Sequence, residues 1–216
     1  MNGVRLGVLL SGRGSNLVAI ADAIDAGRIP GARIALTLSN RPSAPGVLIA
    51  EERGLPTAVL APKAYDDREA YDRAVCDALR DQGVELVVLA GYDRILTPGF
   101  IRAFAGRILN IHPSLLPAYG GKGMVGERVH EAVLAAGETQ SGCTAHLVTE
   151  AVDEGPILGR RVVDVLPGDT PQTLAARILR EEHQLYPLVI AQAAQRLAQG
   201  EAIVADNFMA ESGRPL

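Results

Sequence analysis

Short runs of Val, Leu and Ile alternate with amphipathic stretches along most of this chain, the rhythm of repeated β–α–β units. Val4–Leu10 predicts a buried first strand, and residues 15–26 a helix closed by Gly27. Residues 33–38 predict the second strand, residues 44–53 a helix ended by Gly54, and residues 56–60 a short third strand. Residues 66–81 form the next helix, with Asp and Glu in its early turns to suit the helix dipole. The run Leu86, Val87, Val88, Leu89 within residues 85–90 is too continuously apolar for a one-sided sheet. It predicts a central parallel strand. A short helix over 98–104 then leads to a strand at 107–111.

The second half changes character. Residues 113–126 are rich in Gly and Pro and read as a long loop, followed by a helix over 127–136. Two extended runs, 143–149 and 157–165, are separated by a segment short enough to place them side by side. Thr170 followed by Pro171 makes a helix start, a capping hydroxyl ahead of Pro at the first helical position. That helix is expected to run towards Tyr186, to kink or break at Pro187 and to resume as far as Ala198, with a last strand at 201–205. The predicted fold is α/β: a doubly wound, Rossmann-like, mostly parallel sheet with helices on both faces and antiparallel strands in the C-terminal half.

The chain has 216 residues and shows no internal repeat or linker, so residues 1–216 read as a single domain. With no Trp and 4% aromatics, its core must be built from aliphatic side chains. A net charge of −4 argues against nucleic acid as a partner, while leaving room for a local basic pocket. Cys76 and Cys143 make no disulfide framework and read as reduced thiols of a cytoplasmic protein. The early apolar run is broken by Gly12, Arg13 and Gly14, so it is a strand rather than a signal peptide. No apolar stretch reaches the ~18 residues of a membrane helix.

Chemistry concentrates at three places. Ser11-Gly12-Arg13-Gly14-Ser15-Asn16 follows a strand and opens a helix, where exposed amides can hold a phosphate. Leu17 replaces the third glycine of a dinucleotide fingerprint, and Ser39 and Asn40 stand where a ribose-binding acid is expected, so a monophosphate fits better than a dinucleotide. A tight turn without a ligand is the plainer reading. Asn110 and His112 come next, at the C-terminal end of a strand. Alternation points both to one side, and Pro113 keeps His112 on extended backbone. A carboxamide beside an imidazole suits a reaction that develops an oxyanion and moves a proton, although a lone strand-end His is more often structural. Asp153, in a turn with Gly155 and Pro156, is either a solvated loop acid or a partner that favours the charged form of His112. No metal-spaced His/Cys cluster and no GxSxG elbow is present.

Six stretches carry a resemblance: 11–17, 66–72 (DDREAYD), 89–96 (LAGYDRIL), 110–117 (NIHPSLLP), 152–156 (VDEGP), and Glu182 with His183. Together they resemble the folate-dependent formyltransferases over essentially the whole chain, and within that group the glycinamide ribonucleotide formyltransferases. The resemblance implies transfer of a formyl group from 10-formyltetrahydrofolate, as cosubstrate, to the amine of 5-phosphoribosylglycinamide in purine biosynthesis. It implies no permanently bound cofactor, no metal, and a cytoplasmic monomer or homodimer with no membrane or nucleic-acid partner. The N-terminal half would bind the phosphate and nucleotide, and the C-terminal half the folate.

By the same resemblance Asn110, His112 and Asp153 are catalytic, and Gly14, Ser15, Asn16 and Glu182 bind the ribonucleotide. Arg68, Asp93, Arg94, Ile95, Leu96 and Asn110 lie along the folate with the turn Thr149, Glu150, Ala151, Val152 and Asp153. His146 and Thr144 stand behind the catalytic groups. Asp93 occupies a position where the family often has Met, so an apolar contact gives way to a charge. The glycine-rich segment 118–128 reads either as a cover over the site, with Lys122 near phosphate, or as a passive surface loop.

Three other readings stay open. A transfer-RNA formyltransferase shares the catalytic motif but should carry an extra C-terminal nucleic-acid domain. A formyl-folate hydrolase should carry an N-terminal regulatory domain. A dinucleotide-binding dehydrogenase is disfavoured by Leu17 and by the lack of an acid near Asn40.

Overall fold

The computed structural model describes residues 3–205. Seven strands form one sheet in the order β3-β2-β1-β4-β5-β6-β7: β1 (Val4–Leu10), β2 (Ala32–Ser39), β3 (Thr57–Val59), β4 (Leu86–Leu89), β5 (Ile108–His112), β6 (Gln140–Leu147) and β7 (Ile157–Asp164). Strands β1 to β5 pair in parallel, whereas β5–β6 and β6–β7 are antiparallel. The predicted mostly parallel sheet with an antiparallel C-terminal part is therefore the observed one. Among the described residues there are six α-helices, α1 (Ser15–Asp25), α2 (Pro45–Glu52), α3 (Arg68–Asp81), α4 (Pro98–Ala103), α5 (Glu127–Ala135) and α6 (Pro171–Ala198), with one turn of 3₁₀ helix at Pro62–Ala64.

The continuous apolar run of β4 is buried at every residue because both faces of the sheet are covered. One face packs Leu6, Val8, Leu10, Leu17, Ile20, Val133, Ile178 and Ile190 into a single cluster. The other packs Leu9, Leu38, Tyr71, Val75, Leu79, Val87, Phe100 and Phe104. Leucine, isoleucine and valine dominate, as the near-absence of aromatics requires. Among the described residues no helix is long and apolar enough to cross a membrane.

The helix is not interrupted at Pro187, and the expected last strand is absent from residues 201–205. Pro187 lies inside α6, which continues through it as one helix of 28 residues. A proline costs a helix interior about 3 kcal/mol. Here Leu185, Tyr186, Pro187, Val189 and Ile190 are all buried around it, and the Tyr186 hydroxyl donates to the Leu89 carbonyl at 3.0 Å. Packing on the sheet outweighs the local penalty. Residues 201–205 form no strand, since no sheet edge receives them; Ile203 instead packs into the core beside α6. The start of α6 follows the prediction closely: Thr170 caps it with a reciprocal bond from Thr173, and Pro171 opens the first turn.

Candidate active site

Strand β5 ends at the carboxyl edge of the sheet, where α/β folds bind ligands. Its antiparallel partner β6 places His146 opposite Asn110 and Thr144 opposite His112. The Asn110 amide nitrogen lies 3.1 Å from His146 Nε2, and His146 Nδ1 lies 2.9 Å from the Leu147 carbonyl. A carbonyl only accepts, so Nδ1 carries the proton and Nε2 receives the Asn110 N–H. Burial holds the His146 pKa below its ordinary value, against the opposing pull of the Leu147 carbonyl and Asp153. Thr144 works elsewhere: its hydroxyl donates to the Ser114 carbonyl at 2.7 Å and accepts the Leu116 N–H at 3.1 Å. It anchors the chain just after His112.

The connection from β6 to β7 folds back over this face. Gly155 permits that return, because a Cβ there would sit 1.8 Å from the Leu147 carbonyl oxygen. Asp153, in the left-handed region at φ 58°, then reaches both imidazoles. Its carboxylate lies 3.6 Å from His112 Nδ1 and 3.7 Å from His146 Nε2. Both distances lie just beyond hydrogen-bond range, and only at His112 can a second ring proton make the contact an ion pair, since His146 Nε2 is already an acceptor. With side-chain exposures of 6%, 2% and 13% for His112, His146 and Asp153, the trio is shielded from water. Shielding strengthens the attraction between Asp153 and a charged His112.

The glycine-rich loop closes the cluster through its main chain. The Tyr119 carbonyl lies 2.8 Å from His112 Nε2, and the Gly121 N–H donates to Asp153 at 2.9 Å. Tyr119 is itself held by its hydroxyl, which donates to Glu138 at 2.7 Å. Lys122 is exposed. Sequence reasoning missed Tyr119 and Gly121, because a backbone contact leaves no residue-type signal.

On the other side of the crevice, Gly14 caps α1 at φ 77°, and a Cβ there would come within 2.7 Å of Gly46 Cα. Only glycine allows α2 so close, and the Gly46 N–H donates to the Gly12 carbonyl at 3.0 Å. No acidic residue stands in the first turn of α1, so its unpaired amides and dipole favour an anion at Gly14, Ser15 and Asn16. The Asn16 amide donates to Glu182 at 2.8 Å, while its Oδ1 is buried with no partner among the described residues. Glu182 is 8% exposed. Burial pushes its carboxyl up to about 7, against the opposing hydrogen bond from Asn16.

The segment between β4 and α4 carries the remaining expected residues. Arg68, first in α3, donates to the Ile95 carbonyl, and the Arg94 guanidinium lies 4.7 Å from the Tyr71 ring centroid. Ile95 is exposed, whereas the Leu96 side chain is buried in the core beside Phe100. Asp93 does not stand as a free charge: Asn40 donates to it at 2.8 Å, and Arg41 pairs with its other oxygen. In the β6–β7 turn, Glu150 pairs with Arg102 at 3.3 Å, and the Thr149 hydroxyl donates to the Ala151 carbonyl at 3.1 Å. Ala151 is exposed and Val152 half-buried.

Among the described residues no group of three or more His, Cys, Asp or Glu is placed to hold a metal ion. A separate cleft of about 530 Å³ between α3 and α4 is lined by Arg73, Cys76, Arg80, Phe100 and Arg102, and contains none of Asn110, His112, His146 and Asp153.

The chain matches the family model described as formyl transferase over residues 4–190. It is 40% identical over 212 residues to the phosphoribosylglycinamide formyltransferase of Haemophilus influenzae, covering 98% of this chain and 95% of that one. Over 205 residues it is 42% identical to the trifunctional purine biosynthetic protein adenosine-3 of Bos taurus, covering 94% of this chain and 19% of that protein. The crystal structure of glycinamide ribonucleotide transformylase 1 from Symbiobacterium toebii superimposes with a TM-score of 0.85 at 45% identity, covering 90% of this chain and 89% of the other.

Proposed function

The chain belongs to the formyl transferase family, and from that premise we propose that it moves the formyl group of 10-formyltetrahydrofolate onto the amine of 5-phosphoribosylglycinamide, a step of purine biosynthesis. It is a transferase. One observation supports this chemistry above the rest: Asn110, His112, His146 and Asp153 converge on one shielded face at the carboxyl edge of the sheet.

The amine nitrogen attacks the formyl carbon, and the carbonyl oxygen takes up the negative charge. One N–H of the Asn110 amide is committed to His146; the second is the donor for the oxyanion. His112 faces an acceptor from each ring nitrogen, Tyr119 at Nε2 and Asp153 at Nδ1. The Nε2 proton goes to the Tyr119 carbonyl, and a second proton at Nδ1 would face Asp153. At 3.6 Å an Nδ1 proton is attracted by Asp153 without being committed to a hydrogen bond, which leaves it available to the oxyanion. Collapse breaks the bond from the formyl carbon to folate N10, and one proton passes from the new amide nitrogen to N10. Bonds and protons balance between the two substrates, so the reading needs neither a metal nor a permanently bound cofactor.

The substrate phosphate sits at Gly14, Ser15 and Asn16, and Glu182 lies beside it to receive the ribose. The folate runs along the main chain of Asp93, Arg94, Ile95 and Leu96, with Arg68 and the turn of Thr149, Glu150, Ala151, Val152 and Asp153. The whole chain acts as one domain, in the cytoplasm, as a monomer or homodimer. Steady-state formylation of 5-phosphoribosylglycinamide by 10-formyltetrahydrofolate tests the reading. Turnover with both substrates supports it; a protein that binds neither and turns over neither removes it.

A further inference from the structure

Resting on that reading, we infer that Arg41 and Asn40 are positioning residues for the folate, acting through Asp93 on the main chain of 93–96. The segment 91–96 has no regular structure of its own, so its shape must be set by what it is tied to. Two ties come from the end of β1. The Ser11 N–H donates to the Gly91 carbonyl at 3.0 Å, and the Asp93 N–H donates to the Ser11 hydroxyl at 3.0 Å. Two more come from the end of β2: the Asn40 amide donates to one Asp93 oxygen at 2.8 Å, and the Arg41 guanidinium pairs with the other. Arg41 is fixed in turn by Ser39, whose hydroxyl donates to the Arg41 carbonyl at 3.0 Å and lies 3.1 Å from the Arg41 N–H.

Asp93 is thus held through both its backbone and its carboxylate by two strands other than the one it follows. Asn40 is 5% exposed, so its amide direction is set by packing. The Arg41–Asp93 pair is more open, with side-chain exposures of 59% and 31%. Open pairs add little to global stability, which makes this one removable without unfolding the protein. What it sets is local: the direction of the carbonyls and amides from 93 to 96. The phosphate loop touches this segment only through Ser11 and has anchors of its own, from Gly46 to Gly12 and from Asn16 to Glu182, so Gly14, Ser15 and Asn16 should stay in place.

Arg41→Ala and Asn40→Ala test this in two independent ways. Kinetically, KM for the formyl-folate should rise about threefold to tenfold, with kcat and KM for the ribonucleotide within about twofold. Arg41→Lys should recover much of the loss, and Arg41→Ala in an Asp93→Ala background should add nothing further. By hydrogen exchange, amides 93–96 should open faster in Arg41→Ala while the β1 and β4 amides stay as protected as before. A folate KM that does not move in any variant overturns the inference, as does a rise in both KM values together with a fall in Tm. The exchange readout needs no turnover. If the wild type fails to formylate, the functional reading falls alone, whereas unchanged exchange at 93–96 overturns the positioning role by itself.

Discussion

His146 receives the Asn110 amide across the β5–β6 pair at 3.1 Å, and this bond decides which way the carboxamide faces. With Nδ1 spent on the Leu147 carbonyl, the ring has one acceptor, and Asn110 uses it. His146→Ala should lower kcat about tenfold with both KM values nearly unchanged. His146→Gln, which keeps an acceptor oxygen, should lose less. If both variants keep wild-type kcat, the carboxamide is oriented by something else.

Asn110→Ala removes the oxyanion donor itself and should lower kcat by about 10²–10³. Asn110→Asp, an acceptor where a donor is needed, should fare no better. A variant retaining more than about a tenth of kcat would contradict the role.

Glu182 ties stability to pH in a definite direction. Its folded pKa of about 7 lies above its ordinary value of 4.5, so the folded protein holds this proton more tightly than the unfolded chain. That contribution is complete below pH 4.5 and is lost as pH rises towards 7, by about 3 kcal/mol in all. Glu182→Gln cannot titrate, so wild type should lose about that much stability relative to the variant between pH 4.5 and 7.5. His130, His146 and His183, all lowered by burial, work the other way: their contribution is present above pH 6.5 and is lost as pH falls below it. They are common to both proteins and cancel in the difference. Urea unfolding at a series of pH values measures it, and parallel curves would refute the assignment.

Gly155→Ala forces a Cβ to within 1.8 Å of the Leu147 carbonyl oxygen, a backbone atom that cannot swing aside. The turn must shift and carry Asp153 with it. We expect a loss of about 2–4 kcal/mol in unfolding free energy and a fall in kcat larger than Asp153→Asn alone produces. A stable, active Gly155→Ala protein would show that the turn tolerates displacement.

The legible parts of the fold were those governed by local periodicity. The four apolar residues of β4, the cap at Thr170 and the shared side of Asn110 and His112 all follow from neighbouring positions in the chain. Asp153 was legible as a turn acid but not as a neighbour of His112, because that distance depends on the return of a whole hairpin. The contacts of Tyr119, Gly121, Asn40 and Arg41 were not legible for a related reason: two act through their backbone, and two reach a residue more than fifty positions away. A break at Pro187 was expected from the penalty within one helix, and the surface that helix packs on keeps it continuous.

Strand β5 has a parallel neighbour on one side and an antiparallel neighbour on the other. Because β6 returns antiparallel to β5 after α5, and the turn from β6 to β7 folds back over that pair, the catalytic side chains Asn110, His112, His146 and Asp153 all fall between residues 110 and 153. The anion loop and the 91–96 segment arise on the far side of that seam. The anchors of the phosphate and of the folate main chain can therefore vary upstream of residue 100 without displacing the strand pair that holds Asn110, His112 and His146.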